Sequence, residues 1–194
     1  MKHFLSIILS FFAVLTLFSE RTALAQDSDA LIDIIEKSNS SAKARTGNFT
    51  EVRKPAGKPE QSLKGVLTYD PKGTLSMEYS SPEGDYFIIA SNSMSMKRDG
   101  VANQFDLSKN RPMKSLADML FSSFNGTLRA LAASSASKLK AEKQKDIIVA
   151  TMEATKKAVK GYSKLVLEYD SKTLKLIRMS LEEFDGSVTS YAMK

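Results

Sequence analysis

Apolar and polar residues alternate through most of the chain beyond about residue 46, and turn sequences interrupt the alternation about every ten residues. A period of two is typical of a β-strand with one buried and one solvated face, and regularly spaced turns between such strands are typical of an antiparallel meander. In 74–80, for example, Leu75, Met77 and Tyr79 alternate with polar residues. The pattern predicts eleven strands, at 47–54, 61–69, 74–80, 85–91, 93–98, 101–107, 137–143, 146–154, 162–169, 173–183 and 187–193.

The segment before the first strand has the period of an amphipathic helix instead. Residues 27–29 (Asp-Ser-Asp) supply an N-cap and acidic groups for a first helical turn. Leu31, Ile34 and Ile35 follow at positions i, i+3 and i+4. We therefore predict a short helix over about 29–42, whose apolar stripe must pack against another part of the protein.

A second helical segment interrupts the strands near the middle of the chain. Arg111-Pro112 ends the strand pattern, and apolar residues then recur at helical spacing over 113–134. Gly126 lies inside this segment, and an interior glycine costs a helix about 1 kcal/mol relative to alanine. One long helix or two short ones both fit the pattern.

The first 25 residues have the three parts of a cleavable signal peptide. A short basic start precedes the apolar run 4–18, and Ala23-Leu24-Ala25 is a small-x-small cleavage site. The run is shorter than the about 20 apolar residues that a transmembrane helix needs, and no later stretch reaches that length. We expect cleavage between Ala25 and Gln26, export to the periplasm, a single domain over 26–194, and no membrane span in the mature protein.

Few residue types that carry catalysis are present. The chain has 28 Lys+Arg and 22 Asp+Glu, a formal charge of 28 − 22 = +6, with no Cys and a single His, His3, inside the predicted signal peptide. Disulfides, Cys-ligated metals, thiol catalysis and a lipid-modified cysteine are excluded, and His-based catalysis is lost with the signal peptide. The adjacent Glu182 and Glu183 would point to opposite faces of a strand, so we interpret them as a solvated strand end. We predict a protein that is not an enzyme and has no cofactor or metal.

Lysines recur between residues 138 and 164, where a few acidic residues interrupt them. Such a stretch fits a solvated face, because lysines along strands keep exposed sheets soluble. It also fits an acidic partner or an anionic membrane surface, and both interpretations stay open. Export argues against nucleic acid as a partner.

Methionine and aromatic residues are numerous, with 9 Met, 10 Phe and 6 Tyr in the chain. Methionine is flexible and suits ligands of variable shape, although most such residues in proteins simply fill a core. Eleven short strands form a large sheet, however, and two amphipathic helical segments need not fill its inner face. A filled core and a ligand cavity are both consistent with this composition.

Three stretches resemble the periplasmic lipoprotein-carrier family LolA: Gly65–Pro71, Leu75–Gly84 and Tyr86–Asn92. The resemblance extends over most of 27–193. It implies a mainly β fold, an unclosed antiparallel half-barrel of about eleven strands with a helical lid. One departure is Asp70, which stands where family members often have an arginine that tethers the lid.

The resemblance also implies a function and partners. Members hold the acyl chains of lipoproteins in a hydrophobic cavity, accept them from an inner-membrane ABC exporter and pass them to an acceptor at the outer membrane. A lipoprotein sensor of the same half-barrel type, similar to envelope-stress regulators, is the alternative. An exported hydrolase would require carboxylates that face into the cavity.

We accordingly predict a lipid-binding cavity between the helices and the inner face of the sheet, because the apolar side chains of each strand must turn toward the apolar stripes of the helices. The predicted helical members are Leu31, Ile34, Ile35, Leu116, Leu120, Phe121 and Phe124. The predicted strand members are Leu75, Met77, Tyr79, Leu165, Leu167, Tyr169, Ile177, Met179 and Leu181.

Overall fold

The computed structural model describes residues 27–41, 43–156 and 161–194. The predicted signal peptide therefore lies outside the described residues. All eleven predicted strands are present, and the fold is mainly β. The strands are β1 (Arg45–Lys54), β2 (Gln61–Asp70), β3 (Thr74–Ser81), β4 (Glu83–Ala90), β5 (Ser93–Arg98), β6 (Val101–Asp106), β7 (Ser137–Gln144), β8 (Ile147–Ala154), β9 (Tyr162–Asp170), β10 (Leu176–Glu183) and β11 (Val188–Met193).

The strands form one antiparallel sheet in the order β6-β5-β4-β3-β2-β1-β11-β10-β9-β8-β7. Two meanders, β1–β6 and β7–β11, meet at the central pair β1 and β11, where Phe49 lies opposite Met193 and Lys54 opposite Val188. The outermost strands β6 and β7 do not pair with each other, so the sheet is an open half-barrel. This confirms the predicted architecture.

Three helices cover one face of the sheet, which we call the inner face. They are α1 (27–39), α2 (Arg111–Asn125) and α3 (Leu128–Ser134). The predicted 113–134 segment is thus two helices, separated at Gly126, which adopts a left-handed φ of 74° at the end of α2. At the other end of α2, the Asn110 side chain accepts a hydrogen bond of 3.2 Å from the Met113 amide and caps the helix.

The core lies between the inner face and the helices, with apolar side chains from both meanders. Large buried side chains of this kind each stabilise a fold by about 1.5–3 kcal/mol relative to exposure. The buried hydrophobic residues of the strands are Phe49, Leu67, Tyr69, Leu75, Met77, Ile89, Met94, Ala141, Ile148, Ala150, Met152, Leu165, Leu167, Tyr169, Leu176, Met179 and Leu181.

Two predicted inner-face residues are misplaced. Ile34 is 44% exposed, and Ile32 is buried in its stead, because the face of α1 that packs on the core contains Leu31, Ile32 and Ile35. On β10 the pairing with β9 shifts register between Leu176 and Arg178. This irregularity inverts the alternation, so that Leu176 is buried and Ile177 only half-buried.

Helix α1 is tied to α3 and to the edge of the sheet. The Arg129 guanidinium on α3 lies 2.7 Å from carboxylate oxygens of both Asp33 and Glu36 on α1. The Ser28 hydroxyl on α1 accepts a hydrogen bond of 2.8 Å from the Ala141 amide of edge strand β7. The helix therefore satisfies an edge amide that would otherwise be open to another strand.

Candidate functional site: two cavities beside helix α2

Two cavities open between the sheet and the amino-terminal half of α2. The larger has a volume of about 890 Å³ and the smaller about 600 Å³. Leu116 of α2 lines both, as do Tyr162 and Glu183 of the sheet. These volumes are in the range of small-molecule and lipid sites in proteins.

The smaller cavity has a mainly apolar lining between α2 and the sheet. Met113, Leu116 and Met119 of α2 face Met152 and Leu165 of the sheet there. The larger cavity also has an apolar wall, built by residues of four strands and of α2. These residues are Leu63, Phe87, Met96, Leu116, Leu120 and Leu181.

A buried ion pair forms the floor of the larger cavity. Glu51 on β1 is only 1% exposed, and both oxygens of its carboxylate accept hydrogen bonds from Arg53, one of them at 3.0 Å from Nη2. The Tyr79 hydroxyl on β3 donates to the same carboxylate at 2.5 Å. Burial opposes the charge of Arg53, but the hydrogen bonds to Glu51 more than offset it and raise the pKa of Arg53.

Tyrosines surround this ion pair. Burial, followed by the negative charge of Glu51, raises the pKa of Tyr79 and of Tyr191, the residue that pairs with Glu51 on β11. Tyr162 lines the same cavity, and burial together with Glu183 raises its pKa to about 12. These phenols therefore stay neutral at physiological pH and act as hydrogen-bonding groups.

Gly65 on β2 sets the position of Tyr79. It lies between Phe49 on β1 and Tyr79 on β3, whose rings meet edge to face at 5.2 Å above it. A Cβ atom at Gly65 would approach the Phe49 ring to 2.7 Å and the Glu78 carbonyl oxygen to 2.1 Å. The absence of a side chain therefore allows the two rings to meet across the middle strand.

Further charged side chains line the larger cavity. Lys58, Lys97 and Arg98 are basic, whereas Asp85, Asp99 and Glu183 are acidic. Burial, and then the charge of Asp185, raises the pKa of Glu183. Our interpretation of Glu182 and Glu183 as a solvated strand end is thus right for Glu182 and wrong for Glu183, because only Glu183 faces the cavity.

The predicted cavity residues fall into two groups. Five line one of the two cavities: Tyr79, Leu116, Leu120, Leu165 and Leu181. Leu31, Ile35, Leu75, Met77, Phe121, Phe124, Leu167, Tyr169 and Met179 lie in or against the packed core. Ile34 is exposed and Ile177 half-buried, as described above.

Sequence reasoning missed the floor of the larger cavity, although a signal was present. Glu51 and Arg53 have the same parity as Phe49 within β1, so strand alternation already places all three on the inner face. Two charged residues at inward positions are uncommon, because unpaired charges are costly to bury. A search for charged residues that strand alternation places on the same face as apolar residues would have found the pair.

The carboxyl-terminal end of α2 is held firmly, away from the cavities. Phe124 stacks on Tyr69 at 5.2 Å, and the Arg45 guanidinium lies 4.6 Å from the centre of the Phe124 ring. Asp70, the position at which the sequence departs from the pattern it resembles, accepts a hydrogen bond from the Lys72 amide in its own turn. An arginine from β1 therefore contacts the lid of this protein.

Two further observations bear on chemistry. Among the residues that the structure describes, no group of three or more His, Cys, Asp or Glu side chains is arranged to hold a metal ion. No helix in the described part of the chain combines the length and the apolar content needed to cross a membrane.

Comparison with solved structures finds several similar chains at low sequence identity. A LolA superfamily protein from Nitrosomonas europaea has a TM-score of 0.39 and 10% identity, over 86% of this chain and 91% of the other. The Mycobacterium tuberculosis lipoprotein LppX matches with a TM-score of 0.41 and 12% identity, over 86% of this chain and 95% of the other.

A DUF1329 family protein from Desulfovibrio piger matches with a TM-score of 0.43 and 9% identity, over 88% of this chain and 91% of the other. No protein-family model matches the sequence, and no curated protein matches it closely enough to count as a relative.

Proposed function

We propose that this protein is an exported carrier that binds the acyl chains of lipoproteins between the sheet and helix α2. The observation that carries the proposal is the larger cavity, about 890 Å³ of space with an apolar wall that has residues from four strands and α2. Each methylene group that such a wall removes from water contributes about 0.8 kcal/mol, so an acyl chain binds there without specific hydrogen bonds.

The position of α2 supports a carrier role. Its amino-terminal half borders both cavities through Leu116, whereas Phe124 near its other end is packed against Tyr69. A ligand can thus exchange along the less packed half while the other half stays anchored. By resemblance, the cargo would come from an inner-membrane ABC exporter and pass to an outer-membrane acceptor, both reached from the periplasm.

Binding of a fluorescent acyl probe to the purified mature protein tests the proposal. We expect saturable binding that Leu116→Trp weakens, because the indole occupies space in both cavities. Ile34→Trp is the matched control, since the same side chain on the exposed face of α1 leaves both cavities unchanged. Absence of probe binding, together with native mass spectra of periplasmic protein that show no bound lipid, would rule out the carrier.

A further inference from the structure

The floor of the larger cavity contains polar groups that are not needed to bind an acyl chain. Glu51 is almost fully buried, and its removal from water costs several kcal/mol that the Arg53 pairing and the Tyr79 hydrogen bond must offset. An acyl chain gains nothing from a guanidinium or from phenolic hydroxyls. The polar end of a ligand would benefit from both.

Arg53 keeps unused hydrogen-bonding capacity on the side of the cavity. A guanidinium has five N–H donors, and here Nε and Nη2 are directed to Glu51, with a weaker contact of 3.5 Å from Nη2 to Tyr79. Within the described chain, Nη1 has no hydrogen-bond acceptor. The side chain is 16% exposed and lines the cavity, so Glu51 orients the guanidinium while its other edge faces the ligand space.

The remaining charges of the cavity indicate the kind of head group that fits. Its wall carries three basic and three acidic side chains: Lys58, Lys97, Arg98, Asp85, Asp99 and Glu183. Across the residues that the structure describes, none of these six forms a salt bridge. A ligand with one charge of each sign therefore finds side chains of opposite charge for both of its charged groups.

The positions of Arg53 and Glu183 match a head group of this kind. Arg53 on β1 pairs with Thr189 on β11, which in turn pairs with Leu181 on β10, and Glu183 lies two residues farther along that strand on the same face. Two strand spacings separate β1 from β10 by about 10 Å. Both residues line the cavity, so one ligand can contact both.

We propose that the larger cavity binds the zwitterionic head group of an amphiphilic lipid, with the phosphate on Arg53 and Arg98 and the ammonium group on Glu183. This inference rests on the proposed function, because the acyl part of the same lipid occupies the apolar wall. The cavity would then recognise the head group of the lipid as well as hold its acyl chain.

Three lipids with the same acyl chain test the proposal by displacement of a neutral fluorescent acyl probe, below their critical micelle concentrations. They are lysophosphatidylethanolamine (phosphate and ammonium), lysophosphatidic acid (phosphate alone) and monoacylglycerol (uncharged). We expect the first to bind about tenfold more tightly than the third, since hydrogen bonds to charged groups are the stronger ones. Lysophosphatidic acid should fall between them.

Substitutions test which residues bind the phosphate and which bind the ammonium group of the lipid. The double variant Glu51→Gln with Arg53→Gln removes the ion pair without leaving one charge buried alone. It should lower the affinity of both phosphate-containing lipids to that of monoacylglycerol. Glu183→Gln should weaken lysophosphatidylethanolamine only. Glu182→Gln is the matched control, because Glu182 lies on the outer face and should change nothing. Should the double variant fail to fold by circular dichroism, Arg98→Gln replaces it, with weaker binding of both phosphate lipids expected.

Each outcome has a distinct meaning. Equal affinity for all three lipids would overturn head-group recognition and leave the acyl carrier intact. Tightest binding of lysophosphatidic acid, with no effect of Glu183→Gln, would overturn the zwitterionic assignment. Displacement by none of the lipids, with no binding of the probe itself, would remove the proposed function and this inference together.

Discussion

The hydroxyl of Tyr169 on β9 donates a hydrogen bond of 2.9 Å to the carbonyl oxygen of Ser123 near the end of α2. Both residues are buried, and burial raises the pKa of Tyr169 far enough to keep the phenol protonated as a donor. The bond satisfies a carbonyl in a part of the protein that water does not reach. It ties the lid helix directly to the sheet.

Removal of this hydroxyl should loosen the lid. We expect Tyr169→Phe to lower the free energy of unfolding by about 1–3 kcal/mol, because the Ser123 carbonyl would be left buried without its partner. Tyr69→Phe is the matched control: in the described structure its buried hydroxyl has no hydrogen-bond partner, so its loss should be neutral or stabilising. Urea unfolding of both variants measures the difference, and equal effects would contradict the role of the Tyr169 bond.

Core and cavity positions should respond differently to truncation. Met77 is buried in the core, so Met77→Ala should cost about 2–5 kcal/mol of stability and Met77→Trp should prevent folding. Leu116 is only half-buried and borders both cavities, so Leu116→Ala should cost less stability while weakening acyl-probe binding. Thermal denaturation and probe titration of the two alanine variants separate these effects. A larger stability loss at Leu116 would place it in a packed core.

The turn between α2 and α3 should not accept a side chain. Gly126 has a positive φ, and a Cβ atom there would lie 2.9 Å from Cβ of Asn39 and 3.1 Å from the Ile35 carbonyl oxygen on α1. We expect Gly126→Ala to lower the melting temperature clearly more than Gly57→Ala. Gly57 has a similar φ of 68° but no atom within 4 Å of the same position, so the difference isolates the contact with α1 from backbone strain.

The turn after β9 should make stability depend on pH. Hydrogen bonds from the Thr173 amide and hydroxyl lower the pKa of the exposed Asp170 below its ordinary value. A carboxyl whose pKa is lower in the folded state stabilises the fold above its unfolded pKa of about 3.9, and the stabilisation is lost as the pH falls through the folded value. Asp170→Asn should therefore melt below the wild type at pH 7, with a difference that shrinks toward pH 3. A difference in melting temperature that stays constant with pH would show that the charge of Asp170 is not the cause. Thr173→Ala, which removes the hydroxyl donor, should also make the melting temperature less dependent on pH.

Strand positions were predictable because alternation and turn residues are local. All eleven strands lie within a few residues of their predicted bounds. The residues assigned to the wrong face are those whose orientation depends on tertiary structure and not on local alternation. The shift at Leu176 cannot be seen in the alternation of 173–183, and four apolar residues in five positions of α1 leave its inward face ambiguous between Ile32 and Ile34.

A cavity between the helices and the sheet was expected, but which apolar residues border it and which fill the core could not be predicted from the sequence. Leu116 and Phe124 have the same chemical character and lie on one helix, yet one borders open space and the other is packed between Tyr69 and Arg45. The difference depends on how far each end of α2 lies from the sheet, which no periodicity encodes. The ion pair at Glu51 was predictable in position, but its isolation from water was not.

The pairing of β1 with β11 has a consequence for the order in which the protein forms. All other neighbouring strands in the sheet follow one another along the chain, and such hairpins form within microseconds. The central pair instead closes a loop of most of the chain, at a greater entropic cost. Glu51 and Tyr191 are direct partners across that seam. The two meanders should therefore form before they join, and the ion pair that β1 places at the floor of the larger cavity is covered by Tyr191 only when β11 pairs with β1.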